Sequence, residues 1–314
     1  MSTIYSHSRL SSFENCPKKF EFRYILDVKA ETEGIEAFVG KRVHEILERL
    51  YQFVEDGMVP PLEKVLKRYD AFWEEHWDAD RVRISPRRLL QETLRSDLDK
   101  ERYAELVDEY RRTGRQALVQ YDAAPSTGTK HPALVEQYDE RVETYREIGR
   151  RCLRGYYSTH YPFDADETLG IEDRVLFDLD EKGEYSFQGI IDRLVRASDG
   201  AIEIHDYKTG NWVPGQKQLD QDRQLALYQI GVEKRYGTEA PVRLVWHYLA
   251  RGRRETSSRT PSELVELRKQ TIDVIDTIGR QEKFEAKKNT LCDWCEYRNR
   301  CPAWDNDPAA AGDA

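Results

Sequence analysis

Apolar positions repeat along this chain with two different periods. Between residues 36 and 55, Val39, Val43, Ile46, Leu47 and Leu50 recur at the three- and four-residue spacing of one helical face, which predicts an amphipathic helix. From about residue 60 to 160 the spacing stays helical and the polar positions are densely charged, with breaks at Pro60-Pro61, at Pro86 and in AAPSTGTKHP (123–132). Beyond Pro162 the period shortens. LGIEDRVLFDL (169–179), EYSFQGIIDRLVR (184–196) and AIEIHDY (201–207) read as strands, separated by the turns Asp180-Glu181-Lys182-Gly183 and Ser198-Asp199-Gly200. Turns this short join antiparallel strands, because a parallel pair needs a long crossover. A helix over 217–236, a strand over VRLVWHYLA (242–250) and a helix over 261–285 opened by Thr260-Pro261 complete the pattern.

Helix, three strands, helix, strand predicts a mixed-sheet α/β core with a helical insertion. The expected parts are 1–56, an N-terminal segment ending in a His-bearing helix; 57–162, the insertion; 163–250, the sheet core; 251–304, a helix and a cysteine motif; and 305–314, DNDPAAAGDA, a disordered tail. Two stretches of the helical region, YRRTGRQALVQY (110–121) and YREIGRRCLRGY (145–156), share Tyr, Arg, Gly, Arg, Leu and Tyr in register, and two copies do not establish a repeat.

Composition narrows the function classes. The 314 residues suffice for a real core, and 39% hydrophobic against 34% charged is a soluble balance. No apolar run approaches the roughly 18 residues of a membrane span, and the N-terminus lacks the basic start and apolar run of a secretory signal. A cytoplasmic protein without a membrane partner is expected. Five cysteines in a reducing compartment point to metal binding or burial, not to a disulfide framework. The formal net charge of −9 argues at first against a polyanionic partner. Its distribution changes that picture. Residues 163–210 hold 13 acids against 5 bases, whereas 1–23 hold 4 bases against 2 acids and 241–304 hold 13 against 9, with Arg251, Arg253 and Arg254 clustered. Acidic strands beside basic segments suit a cation-binding site next to a phosphate-tracking surface.

The candidate chemistry lies in those acidic strands. Asp206 and Lys208 are two apart on a strand and share a face, and Asp192 on the preceding antiparallel strand comes opposite Asp206 in a short hairpin. Two close carboxylates repel unless a cation lies between them, so the pair fits a hard divalent ion, Mg or Mn, with Lys208 placed to orient a water or to stabilise developing negative charge. Gln224 and Tyr228, at i and i+4, share one face of the following helix. His44 on the early helix could complete a metal shell, and Glu172 on the first strand could add a ligand or a charge. Cys292, Cys295 and Cys301 form C-x2-C-x5-C, and with Cys16 make four thiols suited to tetrahedral zinc or an iron–sulfur cluster that staples the two ends of the chain. Cys152 reads as a small buried hydrophobe.

Taken in order, YSHSRLSSFENCPKKFEFRY, GKRVHEILERLY, FQGIIDRLV, IEIHDYKTG, DRQLALYQIG and CDWCEYRNRCP resemble the PD-(D/E)XK nuclease superfamily. Within it they resemble the RecB-like exonucleases with an iron–sulfur cluster, such as the AddB nuclease domain and the CRISPR-associated spacer-acquisition nucleases. The resemblance implies a restriction-endonuclease-like fold. It implies that His44, Asp192, Asp206 and the main-chain carbonyl of Tyr207 bind the catalytic metal, that Lys208 is the catalytic lysine, and that Gln224 and Tyr228 support the active site. Asp206 stands where the motif also accepts Glu. Cys16, Cys292, Cys295 and Cys301 would hold a [4Fe-4S] cluster, with zinc less expected because zinc sites usually show two paired C-x2-C knuckles. The implied activity is a metal-dependent DNA nuclease, an exonuclease on single-stranded ends. The competing expectation is a non-catalytic nucleic-acid-binding or assembly module that works through a helicase or integrase partner. No Walker A motif is present, so the chain is not itself expected to be a helicase.

Overall fold

The computed structural model describes residues 3–94, 100–123, 134–237 and 239–304; the expected tail and most of AAPSTGTKHP lie outside the described residues. In chain order the elements are β1 (Tyr5–Ser6), α1 (His7–Asn15), α2 (Pro17–Phe20), a π-helical turn (Glu21–Ile25), β2 (Glu33–Gly34), α3 (Ile35–Glu55), α4 (Leu62–His76), β3 (Val82–Arg83), α5 (Pro86–Leu94), α6 (Lys100–Thr113), α7 (Arg115–Ala123) and α8 (Leu134–His160). Then come β4 (Asp166–Asp178), β5 (Ser186–Ala197), β6 (Ile202–Lys208), α9 (Gln216–Gln221), α10 (Gln224–Tyr236), β7 (Val242–Tyr248), β8 (Arg253–Ser257) and α11 (Pro261–Gly279), followed by 3-10 turns through the cysteine motif.

The chain forms two compact units. The first holds Met1–Asn15, Gly40–Asp70 and Gly149–Phe284; the second holds Cys16–Val39, Ala71–Ile148 and Glu285–Ala314. The first contains the mixed sheet of a restriction-endonuclease-like α/β fold, in the order β1-β5-β6-β7-β8 with β4 on the other side of β5. The two short turns give antiparallel pairs, β4 with β5 and β5 with β6, while β6 runs parallel to β7 across the α9–α10 crossover. One edge of β5 is shared: β1 pairs with Phe187 and Gln188, and β6 pairs with Arg193 through Arg196. The stretch between, which includes Asp192, is a fork in the sheet.

Helix α10 packs closely on this sheet. A Cβ at Gly189 of β5 would overlap the Tyr228 ring, and a Cβ at Gly231 of α10 would overlap Phe177 of β4. Alternation along the strands turns Asp206 and Lys208 toward α10 and turns Tyr207 and Arg193 to the other face, where the Arg193 guanidinium lies 3.8 Å over the Tyr51 ring of α3.

Several boundaries differ from expectation for local reasons. The helix expected over 217–236 is two helices, because Asp222 is extended (ψ 127°) and its carboxylate accepts the Gln224 N–H at 2.9 Å. The helix after Thr260 stops at Gly279; it opens with a reciprocal cap in which Thr260 Oγ1 accepts the Glu263 N–H and Glu263 accepts the Thr260 N–H. Strand β8, RRETS, carries no apolar alternation and escaped the sequence pattern; it pairs with β7 from Tyr248↔Arg253 to Leu244↔Ser257. The two similar Tyr-Arg-Gly segments adopt different structures: Gly114 (φ 62°) separates α6 from α7, whereas Gly149 lies inside α8.

The second unit is helical, with a two-residue parallel ladder between β2 and β3. Phe38, Trp73 and Trp77 form an aromatic cluster, Phe38 edge-on to Trp73 at 5.0 Å and Trp73 stacked on Trp77 at 5.4 Å. Among the described residues, no helix is long and apolar enough to cross a membrane.

Candidate active site

Three carboxylates lie in a row across the sheet. The pairs Ile171↔Arg193 and Asp173↔Ile191 put Glu172 across from Asp192, and Arg193↔His205 puts Asp192 level with Asp206. Glu172 has a left-handed backbone (φ 47°), unusual for a residue with a side chain. His44 reaches the same place from α3. One ligand atom each of His44, Glu172 and Asp192 lies within 4.8 Å of the others.

Asp192 and His44 both bind the backbone of Tyr207. Asp192 Oδ2 accepts the Tyr207 N–H at 2.6 Å, His44 Nε2 lies 2.8 Å from the Tyr207 carbonyl oxygen, and His44 Nδ1 lies 3.5 Å from Asp192 Oδ1. Burial works against a charged His44, but the Asp192 carboxylate and the Tyr207 carbonyl outweigh it and raise its pKa to about 9. Burial, reinforced by the Asp192 charge, raises Glu172 to about 7.

Beside this group, Asp206, Lys208 and Gln224 close on one another. Lys208 Nζ donates to Asp206 Oδ1 at 3.0 Å and to Gln224 Oε1 at 3.1 Å, and Gln224 Nε2 donates to Asp206 Oδ1 at 3.0 Å. Lys208 Nζ is also 2.7 Å from Asp206 Oδ2, yet that buried oxygen accepts no well-formed hydrogen bond. Burial raises the Asp206 pKa against the pull of Lys208. Burial likewise works to discharge Lys208, and the facing Asp206 carboxylate more than offsets it, so the ammonium is held. Tyr228, one turn beyond Gln224, hydrogen-bonds it and lays its ring over Gly189.

The four motif cysteines all lie in the second unit. The Lys287 N–H points to Cys16 Sγ at 3.5 Å and the Asn289 N–H to Cys292 Sγ at 3.4 Å. Burial raises the Cys295 thiol to about 11, with Cys16 among its charged neighbours, and burial also raises Cys301, with Cys16 and Cys292 among its neighbours. No three of these sulfurs converge within 4.8 Å, the spacing that His44, Glu172 and Asp192 do reach. All five cysteines are free thiols, and Cys152 is buried in α8.

Residues 4–302 match the profile of the PD-(D/E)XK nuclease superfamily. The chain belongs to that superfamily. Its nuclease fold and its row of carboxylates are those of an enzyme family that uses divalent metals on nucleic acid. Among solved structures, that of SSO0001 is 18% identical, with a TM-score of 0.32 over 55% of this chain and 75% of that one. A protein of Eubacterium rectale described as a candidate exonuclease is 13% identical, with a TM-score of 0.29 over 88% of this chain and 91% of that one. No curated protein matches.

The donors of this nuclease suit a hard divalent ion: an imidazole, carboxylates and a main-chain carbonyl, with Asp206 Oδ2 buried without a well-formed hydrogen bond and Glu172 raised by burial and the Asp192 charge. Of the arginines expected to track phosphate, Arg254 donates to both oxygens of the buried Glu203 at 2.9 Å, Arg253 pairs with Glu255, and Arg251 Nε donates to the Asn211 carbonyl at 2.9 Å, so each has a partner within the fold. His7 was not singled out. It lies among Arg223, Asp222 and Lys208, and burial together with Arg223 lowers its pKa to about 4; nothing in YSHSRL marks it, because its neighbours come from the α9–α10 break.

Proposed function

We propose that the chain is a metal-dependent deoxyribonuclease that shortens single-stranded ends. The observation that carries this reading is the closed Asp206–Lys208–Gln224 set beside the converging donors of His44, Glu172 and Asp192. His44, Glu172, Asp192, Asp206 and the Tyr207 carbonyl would hold Mg or Mn, which when bound polarises the scissile phosphate and neutralises its charge. Lys208 is pinned on two sides with its side chain 38% exposed, so its ammonium can orient an attacking water or stabilise negative charge building on the phosphate. Gln224 fixes both partners of that pair, and Tyr228 fixes Gln224. The order of six motifs shared with RecB-like exonucleases favours DNA ends as substrate.

Cys16, Cys292, Cys295 and Cys301 would hold a [4Fe-4S] cluster that staples the ends of the chain. Two N–H groups already directed at sulfur support this. The test is anaerobically isolated protein given Mg or Mn and end-labelled single-stranded DNA, duplex DNA and RNA. Loss of label fastest from single-stranded DNA, stopped by chelator, is expected. Intact DNA contradicts the assignment, and faster loss from RNA contradicts its substrate.

A further inference from the structure

On the sheet face opposite Asp206 and Lys208, three tyrosine hydroxyls form a continuous buried chain. Tyr51 Oη of α3 is 2.7 Å from Tyr156 Oη of α8, which is 3.1 Å from Tyr207 Oη of β6. All three side chains are buried. Arg193 of β5 closes the chain, its guanidinium over the Tyr51 ring and paired with Asp166. His247 of β7 packs against the rings of Tyr156 and Tyr207 at 5.3 and 5.5 Å.

Tyr51 lies seven residues after His44 on α3, two turns along the same face. Tyr207 is consequently gripped at three points: its carbonyl by His44, its N–H by Asp192 and its hydroxyl by Tyr156. The third grip is on the Tyr207 side chain, away from the main-chain carbonyl proposed as a ligand. Packing alone would be met by phenylalanine without desolvating three hydroxyls. Linked hydroxyls in a low-dielectric interior instead fix the spacing between α3 and β6, because each hydrogen bond is short and directional there.

We propose that the Tyr51–Tyr156–Tyr207 ladder, braced by Arg193, is a positioning set that holds His44 within ligand reach of Asp192 and the Tyr207 carbonyl. It rests on the reading of His44 and Asp192 as metal ligands. Removing support of this kind from behind a ligand costs about 10–100-fold in metal affinity.

Titration with Mn(II), followed by electron paramagnetic resonance of the free ion, tests this in wild-type protein, Tyr51→Phe, Tyr156→Phe and the double variant. Tyr157→Phe is the control, since its hydroxyl donates to the Pro60 carbonyl at 3.0 Å outside the ladder. The ladder variants should bind Mn(II) about tenfold or more weakly while keeping a cooperative melt, and the double variant should be no worse than the stronger single one, because both break one chain. Tyr157→Phe should bind like wild type. Affinities within twofold of wild type in the ladder variants, or an equal loss in Tyr157→Phe, would overturn the proposal. Should Tyr156→Phe not fold, Tyr51→Phe at the outer end carries the same test. Wild-type protein that binds no Mn(II) fails the metal reading itself, a result distinct from any difference among variants.

Discussion

Asp192 accepts the main-chain N–H of Tyr207 at 2.6 Å, at the place where β6 parts from β5. A side-chain carboxylate there stands in for a strand carbonyl, so the sheet opens without leaving that N–H unsatisfied. The opening lets His44 reach the Tyr207 carbonyl and lets Glu172 face Asp192. The fork in the sheet is thus what makes a site out of three strand carboxylates and a helix histidine.

Gln224 joins Asp206 to Lys208 through both ends of its amide. Gln224→Glu puts a second carboxylate against Asp206 and should lower the cleavage rate more than Gln224→Ala, which only removes the bridge. Initial rates on end-labelled DNA check the order; equal rates in both variants and wild type would remove Gln224 from the site.

The close approach of α10 to the sheet depends on Gly189. Gly189→Ala should lose about 1–3 kcal/mol of stability through overpacking against Tyr228. Tyr228→Leu in the same chain should recover part of it in urea melts. An unchanged midpoint for Gly189→Ala would contradict the packing described.

How much of this was legible in the sequence follows from how local each cause is. Period-2 alternation placed Asp206 beside Lys208, and a short turn placed Asp192 level with Asp206, so that half of the site could be read directly. Glu172 could be weighed but not placed, because its approach to Asp192 depends on a left-handed backbone that no glycine announces. The tyrosine ladder, His7 beside Lys208, and Arg254 on Glu203 each join residues remote in sequence, and none has a periodic signature. Gln224 begins α10 only because Asp222 caps its N–H, a break invisible to helical periodicity.

Acid should weaken the sheet unit in two stages. His205 lies 2.8 Å from His247 and 2.9 Å from Glu203, and burial lowers the pKa of both histidines. Below their ordinary value of about 6.5 the unfolded chain takes up protons that the fold refuses, so stability falls as pH falls through that value, by up to about 1.4 kcal/mol per pH unit for each histidine. Burial works to raise Glu203, but His205, Arg243 and Arg254 hold it well below the usual carboxylate range, so its contribution is lost below about pH 4.3. His44, raised to about 9, acts oppositely and only above about pH 6.5. Urea midpoints should fall between pH 7 and 5, less steeply in His247→Gln. A flat profile in wild type would contradict the buried neutral pair.

The cysteines predict a colour. Anaerobically isolated protein should be brown with broad visible absorbance, and serine at Cys16, Cys292, Cys295 or Cys301 should bleach it, whereas Cys152→Ser should not. Colourless wild-type protein carrying stoichiometric zinc would replace the cluster with a zinc staple.

The central claim is that hydrolysis occurs at the Asp206–Lys208 pair, and single-turnover cleavage of end-labelled single-stranded DNA by Lys208→Ala tests it most directly. With Mg or Mn present, the variant should bind Mn(II) and DNA like wild type, yet cleave about 10²–10⁴-fold more slowly. Cleavage at the wild-type rate by a folded, metal-bound Lys208→Ala would contradict the account.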